Sequence, residues 1–324
     1  MPADSGPADS GPASSGPADR GPADTAVRVG SLTFPNPVMT ASGTAGHGVE
    51  LAPYGDLAVL GAFVAKSLAA YEWAGNPSPR VHPTAQGMLN AVGLQGPGVP
   101  AWRAHELPAL VATGARVVVS IWGRSVADYV AAAEQLADAG PEVVAVEVNL
   151  SCPNLEGRRG IFAHDAALSA EVIAGALACG RPVWAKLSPN TDRLIDVATS
   201  VAGAGAEAVT LINTVLGMVI DPHTRRPALG NGGGGLSGRA VHPVAVRAVH
   251  DVHQALPDLP IIGVGGVASG WDAAELMIAG ASAVQVGTAT FADPRAPWRV
   301  LAGLLDWAAA EGISSLAGLT GSLR

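Results

Sequence analysis

The chain has 324 residues, 48% of them hydrophobic, with 41 glycines and 25 prolines, enough for one large α/β domain or two ordinary ones. Only 14% are charged and the formal net charge is -8, with no basic run, so nothing points to nucleic acid. Two cysteines, Cys152 and Cys179, exclude a disulfide framework and make a reducing cytoplasm the expected compartment; no apolar stretch is long enough to cross a membrane and no secretory leader is visible.

Residues 1–26 are low complexity: PADSG, PADSG, PASSG, PADRG and PADTA follow Met1. Such a composition cannot bury enough apolar surface to offset its ordering entropy, so a disordered, passive tail is expected, with one ordered domain over 27–324. Order starts with VRVGSLTF, read as a short hairpin capping the bottom of a barrel. Eight short apolar runs then recur, at 37–41, 62–66, 117–121, 144–149, 182–186, 208–212, 260–264 and 283–286. Helical spacing of apolar residues lies between most of them, at 126–139, 165–178, 194–202, 243–255 and 270–279. Near-continuous apolar strands alternating with helices predict an α/β fold, a (β/α)8 TIM barrel. A doubly wound open sheet is the alternative. The barrel is preferred because the chemically interesting residues follow many different strands rather than one switch point. Two stretches exceed a minimal unit, 71–116 and 217–238. Their Pro and Gly density reads as long ordered loops, of the kind that cover an active site.

The fourth run, VVAVEVNLSCPN, ends in Asn149, Ser151, Cys152 and Asn154, where Pro153 stops the strand. If the strand belongs to a parallel barrel, that is where catalytic groups sit. Other strand ends carry Ser42, Gly43 and Thr44; Lys66 and Ser67; Lys186; Asn213 and Thr214; Gly265 and Gly266; Gly287 and Thr288. Two lysines at strand ends are costly to bury without an anionic or electron-rich partner, although one lysine there is more often a snorkelling surface group. The glycines after the last two strands suit a phosphate cradle, although a single pair is more often just a turn. Cys179, between Ala178 and Gly180, reads as a buried residue at a helix end. The eight histidines make no metal-like set, and His250 and His253 fall on one helix where a solvent face is expected, so no metal is predicted.

Together these residues resemble a known family. NPVMTASGT, GNPSPR, NAVGLQ, NLSCPN, KLSPN, INTVLG, GGLSG, IIGVGG and VQVGTA, spread over roughly 27–309, resemble the class 1 FMN-dependent dihydroorotate dehydrogenases, most of all the 1B type. SCPN alone is less specific, since the pyrimidine-reducing domain of dihydropyrimidine dehydrogenases is similar there. The resemblance implies FMN at the barrel mouth, held by Ser42, Lys66, Ser67, Ser120, Asn149, Lys186 and Ile212, with Gly238, Gly265, Gly266, Gly287 and Thr288 at the phosphate end. It implies a dihydroorotate site formed by Lys66, Asn90, Ala91, Val92, Gly93, Leu94, Asn149, Asn154, Asn213 and Thr214. Cys152 would remove the C5 proton, with Ser151 and Lys66 beside it, and hydride would pass from C6 to flavin N5. Residues 156–164 would form a loop able to close over the thiol.

The residue types suit that chemistry. Carboxamides both donate and accept, matching a ring with amide edges and a carboxylate. A lysine at the flavin would stabilise charge on its reduced form. A 1B-like chain implies a partner subunit carrying FAD and an iron–sulfur cluster, which two cysteines could not hold here, in a homodimer or heterotetramer. Direct transfer to fumarate, the 1A habit, is the alternative. Two departures stand out: Ser120 and Gly96 occupy positions where asparagine is usual. They bring in a dihydropyrimidine or other cyclic-amide substrate as the second reading. Outside redox chemistry, the competing expectations are a barrel for a phosphorylated ligand and a scaffold subunit with a decayed site.

Overall fold

The computed structural model describes residues 23–151 and 162–324; residues 1–22 and 152–161 lie outside the described residues. The fold begins slightly before the predicted boundary at Val27. Asp24 donates its N–H to Ser314 O and accepts from Leu316 N–H at its own carbonyl, each at 2.9 Å.

Strands β1 (Val27–Val29) and β2 (Leu32–Phe34) form the expected hairpin. The Ser31 N–H donates to the Glu207 carboxylate at 2.7 Å. Phe34 packs edge-on against Trp184, ring centroids 5.9 Å apart. The hairpin therefore packs at the N-terminal end of the barrel and leaves the opposite end as the mouth.

In chain order the body contains β3 (Val38–Thr40), β4 (Phe63–Leu68), β5 (Val81–Thr84), β6 (Gly87–Asn90), α1 (Val99–His105), α2 (Leu107–Ala112), β7 (Val117–Ile121), α3 (Val126–Glu134) and β8 (Val143–Asn149). It continues with α4 (Ala166–Ala176), β9 (Val183–Lys186), α5 (Leu194–Gly203), β10 (Ala208–Leu211), β11 (Val215–Gly217), β12 (Ile220–Asp221), β13 (Arg226–Pro227) and β14 (Gly234–Ser237). It ends with α6 (His242–Ala255), β15 (Ile261–Val264), α7 (Gly270–Ala279), β16 (Ala283–Val286), α8 (Ala289–Ala292) and α9 (Ala296–Ala310).

Eight parallel strands run in the order β3, β16, β15, β10, β9, β8, β7, β4. The Met39–Ala62 bridge closes the ring, helped by the Thr40 hydroxyl, which accepts from Val64 N–H at 2.8 Å. All eight predicted strands are present within two residues of their expected ends. Almost every residue in them is buried, as strands covered on both faces require. Local chemistry starts the helices. Ser125 and Asp128 make a reciprocal capping box for α3, and Asp165 and Ser269 cap α4 and α7.

Two expectations need correction. The stretch 71–116 is not loop throughout: it holds β5, β6, α1 and α2. Pro100 and Pro108 sit in the first turns of α1 and α2, where a missing N–H costs nothing and the fixed φ favours helix. They start helices rather than break them. The C-terminal α9 also went unpredicted, and Pro297 occupies its first turn in the same way. In addition, the two long stretches pair with each other. β11, β14, β6 and β5 form a four-stranded antiparallel sheet, a roof built from segments more than 100 residues apart, as with Gly235 against Asn90.

Candidate active site

Between the barrel mouth and this roof lies a cleft of about 320 Å3. The strand ends and the roof deliver most of the predicted residues to it. Ser42, Lys66, Ser67, Asn149, Ser151, Lys186, Ile212, Gly238, Gly265, Gly266, Gly287 and Thr288 line it, with Asn90, Ala91, Val92, Gly93, Leu94, Asn213 and Thr214. Cys152 and Asn154 lie outside the described residues. Ser120 is wholly buried and does not line the cleft; its hydroxyl stands 2.9 Å from that of Ser67. Any effect it has on a ligand therefore passes through Ser67.

A chain of polar side chains runs across the floor. Ser67 Oγ is 3.1 Å from Ser42 Oγ and accepts from Asn149 Nδ2 at 3.3 Å. Asn149 Oδ1 accepts from Ser151 N–H and from Asn213 Nδ2, both at 3.1 Å. Asn213 Oδ1 in turn accepts from Thr214 N–H at 2.8 Å. Tyr129, from α3, donates its hydroxyl to Asn149 O at 2.7 Å. Each carboxamide is oriented by the next, so the floor presents a fixed pattern of donors and acceptors.

The two lysines differ. Lys186 is buried, 3.7 Å from Glu147 Oε1, and Glu147 is itself fully buried. Lys66 is half-buried and makes no ion pair among the described residues. Burial, and then the nearby Arg80, hold its ammonium below the usual lysine range. Arg80 is fixed by Asn76 O, Ala74 O and the Gln95 side chain, of which Asn76 and Gln95 lie in the GNPSPR and NAVGLQ segments.

At the far end of the cleft the strand-end glycines behave as a cradle. The N–H groups of Gly265, Gly266, Gly287 and Thr288 have no protein acceptor among the described residues. Gly266 has φ +74, and a Cβ there would stand 2.6 Å from His242 Cβ and 3.0 Å from Gly238 O. Gly266→Ala should therefore cost about 1–3 kcal/mol in stability. It should also displace whatever anion the cradle holds, read as a lower melting temperature together with a lower cofactor-to-protein ratio.

The sequence reading missed several lining residues. Asn190, in KLSPN, donates to Ser188 Oγ and Thr214 O, both at 3.0 Å, and accepts from Leu216 N–H at 2.9 Å. It ties the β9 end to the roof, and a carboxamide four residues after Lys186 was the available signal. Ser237 accepts from the Thr288 hydroxyl at 2.8 Å. Phe291 stands exposed at the rim, with nothing in its sequence context to mark it.

His47 was also unassigned. Its Nε2 is buried without a partner among the described residues and faces Gly96, where a Cβ would lie 3.2 Å away. The missing side chain at 96 thus leaves room for this ring. Burial first, then Lys66, lower the His47 pKa from 6.5 to about 4. The unfolded chain therefore binds a proton here that the folded chain refuses. The stability due to neutral His47 is present above pH 6.5 and is lost as pH falls toward 4. His47→Gln should flatten that part of a melting-temperature-against-pH profile.

Elsewhere, Cys179 is buried at the end of the α4 region as expected, and burial pushes its thiol pKa up. The solvent-face expectation for His250 and His253 is corrected. Both are half-buried, and His253 fills space that Gly280 and Gly321 leave open. No helix among the described residues is long and apolar enough to cross a membrane.

Comparison with known proteins agrees with this geometry. The family described as "Dihydroorotate dehydrogenase" matches residues 25–307. A protein of Desulforudis audaxviator named "Dihydroorotate dehydrogenase B (NAD(+)), catalytic subunit" is 48% identical over 299 residues, covering 92% of this chain and 97% of its own. Proteins of the same name from Geotalea daltonii and Trichlorobacter lovleyi are 45% and 44% identical over 300 residues, covering 92% of this chain and 98% of theirs. A roofed barrel mouth lined by the family's own motifs and a match over nearly the whole described chain lead to one conclusion: the chain belongs to the dihydroorotate dehydrogenase family.

Proposed function

We propose that this chain is the FMN-containing catalytic subunit of a class 1B enzyme, oxidising dihydroorotate to orotate in pyrimidine biosynthesis. The observation that carries the reading is the cleft itself. It is lined by a glycine cradle whose four N–H groups have no protein acceptor among the described residues, by a buried lysine, by a fixed row of carboxamides, and by a second lysine with no ion pair among the described residues. These fit the group the family implies. The cradle suits a phosphate, since glycine lets the backbone N–H groups approach an anion. The apolar Ile212 and the Lys186 ammonium suit a ring that gains negative charge. Gly238, Gly265, Gly266, Gly287 and Thr288 would hold the phosphate end, and Ser42, Ser67, Asn149, Lys186 and Ile212 the ring and ribityl chain. When bound, FMN supplies the two-electron acceptor for the hydride that leaves C6 of the substrate.

The chain's own residues do the rest. Lys66 attracts the substrate carboxylate, with the N–H groups along 90–94. Asn149 and Asn213, already oriented by each other, meet the ring amides, joined by Asn154. Cys152, carried on the segment that leaves Ser151, takes the C5 proton. The roof excludes water, which strengthens each of these contacts.

The named relatives are catalytic subunits, which supports a partner subunit here. We assign to it the FAD and iron–sulfur cluster that pass electrons to NAD, in a heterotetramer in the reducing cytoplasm. The test is an anaerobic visible spectrum of the purified chain before and after adding dihydroorotate. Flavin bands that bleach establish cofactor and substrate class together. Flavin bands that persist with dihydroorotate would keep the cofactor and move the substrate away; bleaching by another cyclic amide alone would replace dihydroorotate with that compound. No flavin, even after incubation with FMN, overturns the redox reading.

A further inference from the structure

Glu147 lies on β8 two residues before Asn149, and it is 0% exposed. Only two acids are buried among the described residues, Glu147 and Asp272, and Asp272 sits at the start of α7, outside the barrel. Lys186 is the one buried lysine or arginine among them. A lone carboxylate in a barrel interior is costly unless it is paired and hydrogen-bonded. Here one oxygen is satisfied fully: Glu147 Oε2 accepts from Thr210 Oγ1 at 3.0 Å and Gln285 Nε2 at 2.8 Å. The other oxygen, Oε1, has no hydrogen bond and faces Lys186 Nζ at 3.7 Å. Strands β8, β9, β10 and β16 thus each send one polar side chain inward to a single charge pair under the cleft floor.

The carboxylate is clamped from two sides and the ammonium is not. That asymmetry makes Glu147 the fixed member and Lys186 the member being held. Lys186 lines the cleft as one half of this pair, whereas Lys66 lines the same cleft with no acid in ion-pair distance among the described residues. We infer that Glu147 is a positioning residue that holds the Lys186 ammonium under the flavin site: Lys186 becomes a fixed donor whose field is offset by its own counter-charge, and Lys66, with Arg80 near it, supplies the uncompensated charge that draws an anionic substrate. This rests on the flavin reading of the cleft. Its chemical content is that the acid, through the lysine, sets how strongly the site favours the negatively charged, reduced form of the cofactor.

The test uses two readouts. The first is the melting temperature of the FMN-free chain for wild type, Glu147→Gln, Lys186→Gln and the double variant. Glu147→Gln turns an amide donor toward the ammonium, so it should lower the melting temperature, and the double variant should regain more than half of that loss. The second is the midpoint potential of bound FMN. Glu147→Gln should shift it to a more positive value, because the ammonium is no longer opposed, while Glu147→Asp, which keeps the charge, should stay with the wild type. A merely structural role would lower the melting temperature and leave the potential where it is. An unshifted or more negative potential in Glu147→Gln, or a double variant no more stable than that single variant, overturns the inference. A chain that takes up no FMN would instead sink the flavin reading, and the melts would still decide whether Glu147 and Lys186 act as a pair.

Discussion

Replacing Cys152 with serine should lower turnover by roughly two to four orders of magnitude near neutral pH and leave FMN content unchanged. Carbon–hydrogen proton removal needs a base whose working range is near neutral. An ordinary thiol titrates near 8.5, while a serine hydroxyl is mostly unavailable as an anion in water at that pH. Cys152 follows Ser151 in the chain, and Asn149 Oδ1 holds the Ser151 N–H at 3.1 Å. The flavin cradle, by contrast, belongs to β15 and β16 on other sides of the ring. Base and cofactor sites are thus separable, so the variant should lose rate without losing colour. Stopped-flow bleaching by dihydroorotate, alongside the flavin-to-protein ratio, reads both. Near-normal bleaching would remove Cys152 from the base role.

Lys66→Met should cost roughly two to three orders of magnitude in kcat/KM, about what one oriented donor at a developing charge is worth. Lys66 and Lys186 are the two lysines lining the cleft, and only Lys186 has an acid within ion-pair distance among the described residues. The Lys66 ammonium is held under strain by burial and by Arg80. An incoming carboxylate relieves both, since it restores solvation-like contacts and screens one cation from the other. Methionine keeps the packing and removes the charge. Orotate affinity, measured by the spectral change on binding, should fall with kcat/KM. Unchanged orotate affinity would assign the carboxylate to other groups.

The barrel was legible because burial on both faces leaves a strong local trace. VVVSI in β7 and AVQV in β16 are apolar at nearly every position, as strands covered on both faces are. The site was legible for a different reason. Strand ends in a barrel converge on one mouth, so polar residues such as Asn149, Lys186 and Asn213, each placed after a different strand, necessarily meet. Helices α1 and α2 were harder because their segment was read as loop from its glycine and its proline. The effect of proline depends on whether it falls in the first turn, which composition does not state.

Local pattern, then, was enough for the eight strands and for the strand-end residues that line the cleft, because each depends on neighbours a few positions away. Three features depend on distant segments and came only with the folded chain. The roof joins β5 and β6 to β11 and β14, a pairing whose register rests on contacts such as Asn90 with Gly235. Ser120, wholly buried on β7, stands behind Ser67 rather than in the cleft. Glu147, which reads in sequence as one polar position in an alternating strand, is a buried counter-ion only because β9, β10 and β16 bring Lys186, Thr210 and Gln285 around it. A charge becomes costly or useful according to what surrounds it, and in a closed barrel those surroundings come from the whole length of the chain.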